Sequence, residues 1–298
     1  MTPRAVLTDE MWALVEPLMP SSDGKRGKPF RDHRQVVEGI IYRYRAGICW
    51  RDLPADFGPW QTVWKRHRRF AADGTWDQVL TTLLATADAA GIIDWEVCVD
   101  STINRAHQHG TNLARDTGGT SNHTNLRIEP PDHALGRSRG GLSTKVHQLV
   151  DGKGRPLVVL IGPGQANDSP MFPNLLAALR VPRIGPGRAR TRPTVLIADR
   201  AYSARSHRAL LRSRGIAAVI PEKVDQQGGR KRRGSHGGRP PVFDATKYKK
   251  RHVIECSFSL TKQWRALATR YDKLALTYRA GVVLRAVTIW LSALGDTA

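Results

Sequence analysis

Apolar residues recur at helical spacing through the first ninety residues of the chain. In the segment DHRQVVEGIIYRYRAG, five apolar side chains from Val36 to Tyr44 repeat every three or four positions, and Gly47 ends the pattern. Similar patterns predict helices in LTDEMWALVEPLMP, in WQTVWKRHRRFAADG and over residues 75–90. We therefore expect residues 1–92 to form an all-helical domain.

After Gly91 the apolar positions alternate, which is typical of strands. The segments WEVCVD, PTVLIAD and IAAVIP are predicted strands, and LSTKVHQLVD and RPLVVLIG are a predicted hairpin around DGKG. Predicted helices follow near Met171, in SARSHRALLRSRG, from about Thr246 and in YRAGVVLRAVTIWLSAL. This order predicts an α/β domain over residues 93–298, with a mixed sheet flanked by helices.

Two stretches of this second domain break the pattern. Residues 105–141 are rich in His, Asn, Gly and Thr, and residues 222–246 (EKVDQQGGRKRRGSHGGRPPVFDAT) form a Gly/Arg-rich insertion. We expect both to be irregular and the insertion to be mobile without a partner.

One helix of the first domain has a strongly basic sequence. It follows a short helix and the turn ICWRDLPADFGPW, and its cations are Lys65, Arg66, Arg68 and Arg69. A helix, a tight turn and a basic helix resemble a helix-turn-helix, whose second helix would enter a DNA major groove. A helical bundle with a solvated basic face explains the pattern equally well, so both interpretations remain open.

The distribution of charge favours a polyanionic partner. The formal net charge is +21, and an acidic segment separates two basic ones: residues 71–135 carry 3 Lys/Arg against 9 Asp/Glu, whereas residues 136–298 carry 31 against 9. Such an excess points to nucleic acid. The three cysteines form no CxxC motif, and the apolar run from Leu157 to Ile161 is too short for a membrane span. We expect a cytoplasmic, nucleoid-associated protein without a membrane partner.

Two aspartates stand where ligands gather in open α/β sheets. Asp100 and Asp199 each end a run of strand residues, and ligands bind outside the carboxyl ends of such strands. Aspartate also forms turns, so either residue alone indicates little.

A third carboxylate, Glu255, lies in the basic stretch YKKRHVIECSFSLTKQW. A single helix through this stretch would bury Val253, Leu260, Trp264 and Leu267 and would present Tyr248, Arg251, Glu255 and Lys262 on the opposite face. The simplest alternative is an ordinary i,i+4 ion pair of Arg251 with Glu255, which contributes only about 0.2 to 0.5 kcal/mol. Three carboxylates within a basic surface instead suit two Mg²⁺ ions, with Mn²⁺ as a substitute, acting on a phosphodiester.

The spacing of Tyr248, Arg251, Glu255 and Lys262 resembles the Y-x2-R-x3-E-x6-K motif of the insertion-sequence-five family of bacterial transposases. VCVDSTINRAHQH and LIADRAYS are similar to the two aspartate segments of that family, and DHALGRSRGGLSTKVHQLVD to its linking hairpin. The resemblance implies a ribonuclease-H-like fold and a DDE triad of Asp100, Asp199 and Glu255. It also implies that Tyr248, Arg251 and Lys262 contact DNA near the cut.

The function implied is cleavage of terminal inverted repeats and joining of the 3′-OH to target DNA, by a homodimer or larger assembly on double-stranded DNA. A nuclease that cuts without joining and a DNA-binding regulator derived from a transposase are the alternatives. Arg137, Arg139 and Lys145 are further candidate phosphate contacts, although a hairpin with solvated charges is the alternative. His107 and His109 form an HxH whose expected role is to order the loop after Asp100 rather than to bind zinc.

Overall fold

A computed structural model describes residues 6–24, 29–112 and 129–295 of the chain. The four predicted N-terminal helices are present: α1 (Asp9–Val15), α2 (His33–Ala46), α3 (Trp60–Ala72) and α4 (Thr75–Ala89). The Oγ1 of Thr8 accepts a hydrogen bond from the backbone N–H of Met11 and so caps α1. Gly47 ends α2 at φ +73°, and a Cβ there would approach Arg265 to 2.7 Å, so the position needs glycine.

Seven strands of the described chain form one mixed sheet: β1 (Glu96–Ala106), β2 (Gly136–Ser138), β3 (Gly141–Val150), β4 (Pro156–Pro163), β5 (Val195–Ala198), β6 (Ala217–Val219) and β7 (Thr269–Arg270). The predicted hairpin is confirmed, since β3 and β4 pair antiparallel around DGKG. β1 lies between antiparallel β3 and parallel β5, and β6 continues the sheet beside β5. The chain is therefore a mixed α/β protein.

Strand β1 extends beyond the predicted segment WEVCVD. Its residues after Asp100 stay paired with β3 as far as Arg105, which lies opposite Ser143. The expectation that Asp100 ends its strand is therefore wrong: Asp100 lies inside β1, at the point where only its parallel partner β5 ends.

Helices of the second half are α5 (Gln108–Thr111), α6 (Phe172–Ala178), α7 (Arg205–Ser213), α8 (Val224–Arg232), α9 (Ala245–Lys249), α10 (His252–Lys262), α11 (Arg265–Ala268) and α12 (Ala275–Gly295). The insertion at 222–246 is not wholly irregular, because it contains α8 and a 3₁₀ turn at Gly234–Gly237. The other stretch expected to be irregular, residues 105–141, contains the end of β1, α5 and β2, and its residues 113–128 lie outside the described residues.

The single long helix predicted from Thr246 is wrong, since the chain forms three helices, α9 to α11, over this region. A wheel of 100° per residue cannot be carried across their breaks. Leu260, expected in the core, is 41% exposed, whereas Ile254 and Phe258 are buried. The prediction of an outward-facing Glu255 agrees with its exposed side chain.

The C-terminal helix α12 packs against α3, α4 and β4. One continuous apolar cluster joins side chains of α2, α4, β1, β5 and α12. Helix α12 approaches α2 closely at Gly281, where a Cβ would lie 2.5 Å from the Tyr44 ring. A domain boundary at residue 92 stays a prediction. In the described part of the chain, no helix has the length and apolar character needed to cross a membrane.

Candidate active site

Two aspartates lie side by side where the parallel pairing of β1 with β5 ends. Val99 and Ala198 form the last pair, and Asp100 and Asp199 are the next residues of the two strands. Neighbouring strands lie about 4.8 Å apart, and residues in register point to the same face. Asp199 then caps a 3₁₀ turn by accepting a hydrogen bond of 2.8 Å from the backbone N–H of Ala201. The sheet topology thus brings the two predicted aspartates together.

The Asp100 carboxylate accepts hydrogen bonds at both of its oxygens. Its Oδ1 accepts a hydrogen bond from the backbone N–H of Ser101 at 2.8 Å, and its Oδ2 accepts one from Arg251 at 2.7 Å. Burial raises the pKa of Asp100 to about 6, the negative charge of Asp199 adds to that rise, and the guanidinium of Arg251 opposes it. The negative charge of Asp199 thus raises the cost of ionising Asp100, and Arg251 offsets part of that cost.

Arg251 connects Asp100 with the third predicted carboxylate. Its guanidinium donates through Nη1 to Asp100 and through Nη2 to Oε1 of Glu255. The i,i+4 ion pair considered in the sequence analysis therefore forms, but its arginine also reaches the sheet. The Glu255 side chain remains 57% exposed, which leaves it accessible from solvent.

The other two residues of the spaced motif lie beside this bridge. Lys262, at the end of α10, donates from Nζ to Thr102 Oγ1 at 2.7 Å and to the Ile103 carbonyl at 3.2 Å, both on β1. Burial lowers its pKa. Tyr248 lies on α9, where its ring centroid is 5.3 Å from that of Phe243. Tyr248 thus lies on α9, whereas Glu255 and Lys262 share α10 and Arg251 is the residue that precedes it.

A fourth carboxylate, Asp168, was missed by sequence reasoning. It follows β4, and its Oδ1 accepts a hydrogen bond of 2.6 Å from Ser101 Oγ and lies 2.9 Å from Lys145 Nζ. Its negative charge also contributes to the raised pKa of Asp100. Within GQANDSP this aspartate reads as a turn former. Only the pairing of β4 with β3, and of β3 with β1, brings it to the site.

Tyr202 lies beneath the same group of carboxylates. Its side chain is buried, and its hydroxyl has no hydrogen-bond partner among the described residues. Burial raises its pKa, as do the negative charges of Asp168, Asp100 and Asp199. A polar hydroxyl therefore adjoins the carboxylates without a partner of its own.

The donor set suits a hard divalent cation, because carboxylate oxygens are the ligands that Mg²⁺ and Mn²⁺ prefer. Burial is the main cause of the raised pKa of Asp100, and the negative charges of Asp199 and Asp168 add to it. Within the described ranges, no group of three or more His, Cys, Asp or Glu side chains is arranged as a metal site. Arg251 instead bonds both Asp100 and Glu255.

The basic residues considered as DNA contacts fall into two groups. Lys65, Arg69, Arg137 and Arg139 have exposed side chains, and Arg68 is half-buried beside the Trp64 ring. Lys145 and Arg66 do not fit a DNA-facing role, because both are buried. Lys145 bonds Asp168 and the Ala166 carbonyl, and Arg66 lies 3.8 Å over the Phe30 ring.

The HxH pair lies at the far end of β1. His107 accepts a hydrogen bond at Nδ1 from the backbone N–H of His109, and its ring packs 4.9 Å from Tyr271. These contacts cap α5. They are the kind expected of residues that order the chain after β1.

Comparison with protein families identifies the chain. Residues 7–80 match the family model described as "Putative transposase of IS4/5 family", and residues 93–289 match the model described as "Transposase DDE domain". The second match covers more than half of the chain. The chain belongs to the transposase DDE domain family.

Similar proteins agree with this membership of the DDE transposases. A "Putative transposase for insertion sequence element IS6501" of Brucella ovis is 34% identical over 150 residues, 50% of this chain and 99% of the relative. A "Putative transposase for insertion sequence element IS402" of Burkholderia cepacia is 32% identical over 139 residues, 47% of this chain and 57% of the relative. No solved structure matches the chain. The chain is thus a DDE transposase of the insertion-sequence type.

Proposed function

We propose that this transposase binds the terminal inverted repeats of its insertion sequence, cleaves the DNA ends and joins each 3′-OH to target DNA. Asp100, Asp199 and Glu255 would form its catalytic triad. The observation that supports this assignment best is that the Arg251 guanidinium bonds both Glu255 and Asp100. Asp100 in turn lies beside Asp199, where the pairing of β1 with β5 ends. Residues from β1, the end of β5 and α10 therefore meet at one surface.

The three carboxylates would hold two Mg²⁺ ions, for which Mn²⁺ could substitute. Such ions polarise the phosphodiester, activate the attacking oxygen and stabilise the leaving one. The proposed reaction transfers a phosphodiester directly: the attacking oxygen forms a bond to phosphorus while the bond to the leaving oxygen breaks. No covalent link between protein and DNA is required.

The cations around the site would position the DNA backbone. Arg251 is held beside the carboxylates by its bonds to Asp100 and Glu255, and Lys262 by its bonds to β1. With Tyr248 they would contact phosphates near the cut, where they would offset repulsion between the DNA and the acidic residues. Exposed Lys65, Arg69, Arg137 and Arg139, together with Arg68, would extend this contact.

The proposal includes three broader expectations. The mixed sheet would belong to the ribonuclease-H-like class, and α2 and α3 would act as a helix-turn-helix-like reader of the repeats. A homodimer or larger assembly would pair the two ends on DNA. The family membership and the positively charged chain support these expectations.

The test is strand cleavage of terminal-repeat DNA with Mg²⁺ by wild type and by Glu255→Gln. We expect the variant to lose about 1,000-fold or more in cleavage rate, since removal of a metal ligand costs several kcal/mol of transition-state stabilisation. The matched control is Glu96→Gln, because Glu96 is also a partly exposed glutamate paired with cations of this basic stretch, Lys247 and Lys250.

Glu96→Gln should cleave at nearly the wild-type rate. Undiminished cleavage by Glu255→Gln would refute the triad. Labelled ends that appear in a second duplex would show joining, whereas cleavage without joining would favour the nuclease. Binding without nicking, unaffected by Mg²⁺, would favour the regulator.

A further inference from the structure

An arginine-lined groove adjoins the proposed active site and has no part in the chemistry described above. Its cavity of about 730 Å³ lies between α7 and residues 222–241. Its walls carry six arginines against two carboxylates, Glu222 and Asp225; the arginines are Arg205, Arg208, Arg212, Arg230, Arg233 and Arg239. We call this cavity the arginine groove.

Four of these six arginines have no ion-pair or hydrogen-bond partner for their side chains among the described residues. Arg230 pairs with Glu222, and the guanidinium of Arg208 donates to the Ile220 carbonyl at 2.7 Å. The side chains of Arg205, Arg212, Arg233 and Arg239 make no ion pair or hydrogen bond with any described residue, and all four are exposed. Like charges gathered in one concave surface repel each other and attract a polyanion.

The chemistry of the lining indicates a phosphate backbone. Arginine guanidinium groups bind phosphate through paired hydrogen bonds, and four free ones along one cavity suit several spaced phosphates. No Phe, Tyr or Trp side chain is among the residues that line the groove, and the one aromatic ring there is the imidazole of His236, so the lining favours phosphate contacts over base stacking. Contacts to phosphate alone carry no direct sequence information.

The arginine groove begins close to the carboxylates. Asp199 caps the turn Arg200–Tyr202, and the next residue, Ser203, lines the groove. The Ser203 carbonyl also accepts a hydrogen bond of 3.5 Å from Gln226, which ties α8 to this turn. A DNA strand that passes the carboxylates on the β5 side would therefore continue into the groove.

We propose that the arginine groove binds the sugar-phosphate backbone of the DNA flanking the cleavage position, independently of its sequence. This inference rests on the proposed function, because it takes the carboxylates as the place of cleavage. It gives the Gly/Arg-rich insertion a specific role, since α8 and the turn after it supply one wall of the groove.

The experiment compares two double variants of the full-length protein. Arg212→Gln/Arg233→Gln removes two unpaired groove cations, and Lys231→Gln/Arg232→Gln removes two exposed cations from α8 that do not line the groove. Both lower the net charge by the same amount. Thermal unfolding should be nearly unchanged in both, because exposed, unbonded side chains usually contribute within about 0.5 kcal/mol.

Binding is measured over a range of salt concentrations, with one duplex that ends at the cleavage position and one that continues into flanking DNA. For the longer duplex, log K falls as log salt rises, and the groove variant should make this fall shallower. The magnitude of the slope should decrease by about 1.8, or by about 1.4 if the flank is single-stranded. The control variant should lower it by less than half of that amount. On the truncated duplex, the groove variant should match the wild type.

An equal loss of slope in both variants, or no loss in the groove variant, would overturn the proposal. Competition by inorganic phosphate or a mononucleotide beyond the effect of ionic strength would also overturn it, in favour of a small-molecule site. The proposed function fails separately: wild type without Mg²⁺-dependent cleavage refutes the transposase chemistry, whatever the salt slopes show. Normal cleavage with an unchanged slope refutes the groove alone.

Discussion

Two clusters of charged side chains differ in how their charges are balanced. Around Asp272, near the start of α12, Arg43 Nη1 and the Tyr44 hydroxyl both donate to Oδ2, at 3.1 and 3.0 Å, and all three residues are buried. Around Asp100, three further carboxylates lie near three cations, and part of the cluster faces solvent; the carboxylates are Asp199, Asp168 and Glu255, and the cations are Arg251, Lys145 and Lys262.

We infer from this difference that the Asp272 cluster is structural, whereas the Asp100 cluster is the proposed functional site. The Asp272 cluster pairs the buried Arg43 with Asp272 and joins α2 to the chain before α12, so it stabilises the fold as it stands. The Asp100 cluster has unbalanced negative charge, and burial raises the pKa of Asp100 to about 6. Titratable groups whose pKa is strongly shifted by burial and by neighbouring charges concentrate at functional sites. The unbalanced charge is consistent with a site that receives a cationic ligand.

The largest expected effect on stability comes from Asp272→Ala. Removing one partner of a buried ion pair leaves the Arg43 charge uncompensated, and this typically costs about 3 to 5 kcal/mol. The free energy of unfolding in urea measures the loss. The control is Asp77→Ala, which removes an aspartate that is 45% exposed and paired with Arg279; it should cost less than about 1 kcal/mol. Equal losses would contradict the contrast between the two clusters.

Sequence patterns predicted the parts of the active site that depend on local periodicity and strand order. The strand patterns before Asp100 and Asp199 predict two strands of a mixed sheet. The structure adds that these strands are parallel neighbours. The position of Asp168 depends instead on pairing between strands that are distant in the sequence. Asp168 reaches Ser101 only because β3 lies between β4 and β1, and nothing within GQANDSP announces that contact.

The basic segment around Glu255 shows why a helical wheel misplaced some residues. The wheel assumed one helix, whereas the chain breaks between α9 and α10 and again before α11. The wheel therefore places Leu260 in the core although it is exposed, and Phe258 is buried instead. Arg251, Glu255 and Lys262 gather nonetheless, because the segment from Arg251 to Lys262 is unbroken and places them on the face of α10 that meets β1.

The second expected effect is a pH dependence of stability that originates in the Asp272 cluster. His67 is buried beside Tyr44, and burial lowers its pKa to about 4. An unfolded histidine titrates near about 6.5. The contribution of His67 to the free energy of unfolding is therefore fully present above pH ~6.5. It falls as the pH drops towards ~4, because over this range only the unfolded state gains the proton, and it changes no further below that. The loss amounts to about 3 kcal/mol at most.

Unfolding free energies of wild type and His67→Gln at pH 7, 5.5 and 4.5 test this assignment. The variant should lose less stability than the wild type over that interval, since glutamine does not titrate. His236→Gln, which replaces an exposed histidine, should follow the wild-type profile. Parallel profiles for wild type and His67→Gln would show that the pH dependence arises elsewhere.

The smallest of these effects is expected at Asp168, in the Asp100 cluster. Its carboxylate holds the Ser101 hydroxyl, and the backbone N–H of Ser101 in turn bonds Asp100. Asp168→Asn should lower DNA cleavage about 10- to 100-fold, the usual cost of losing a partner that orients a metal ligand. Ser101→Ala breaks the same link without a change of charge, so a positioning role predicts similar losses for both variants. The Mg²⁺ concentration for half-maximal cleavage should rise in each. A loss confined to Asp168→Asn would instead assign the effect to the charge that pairs with Lys145.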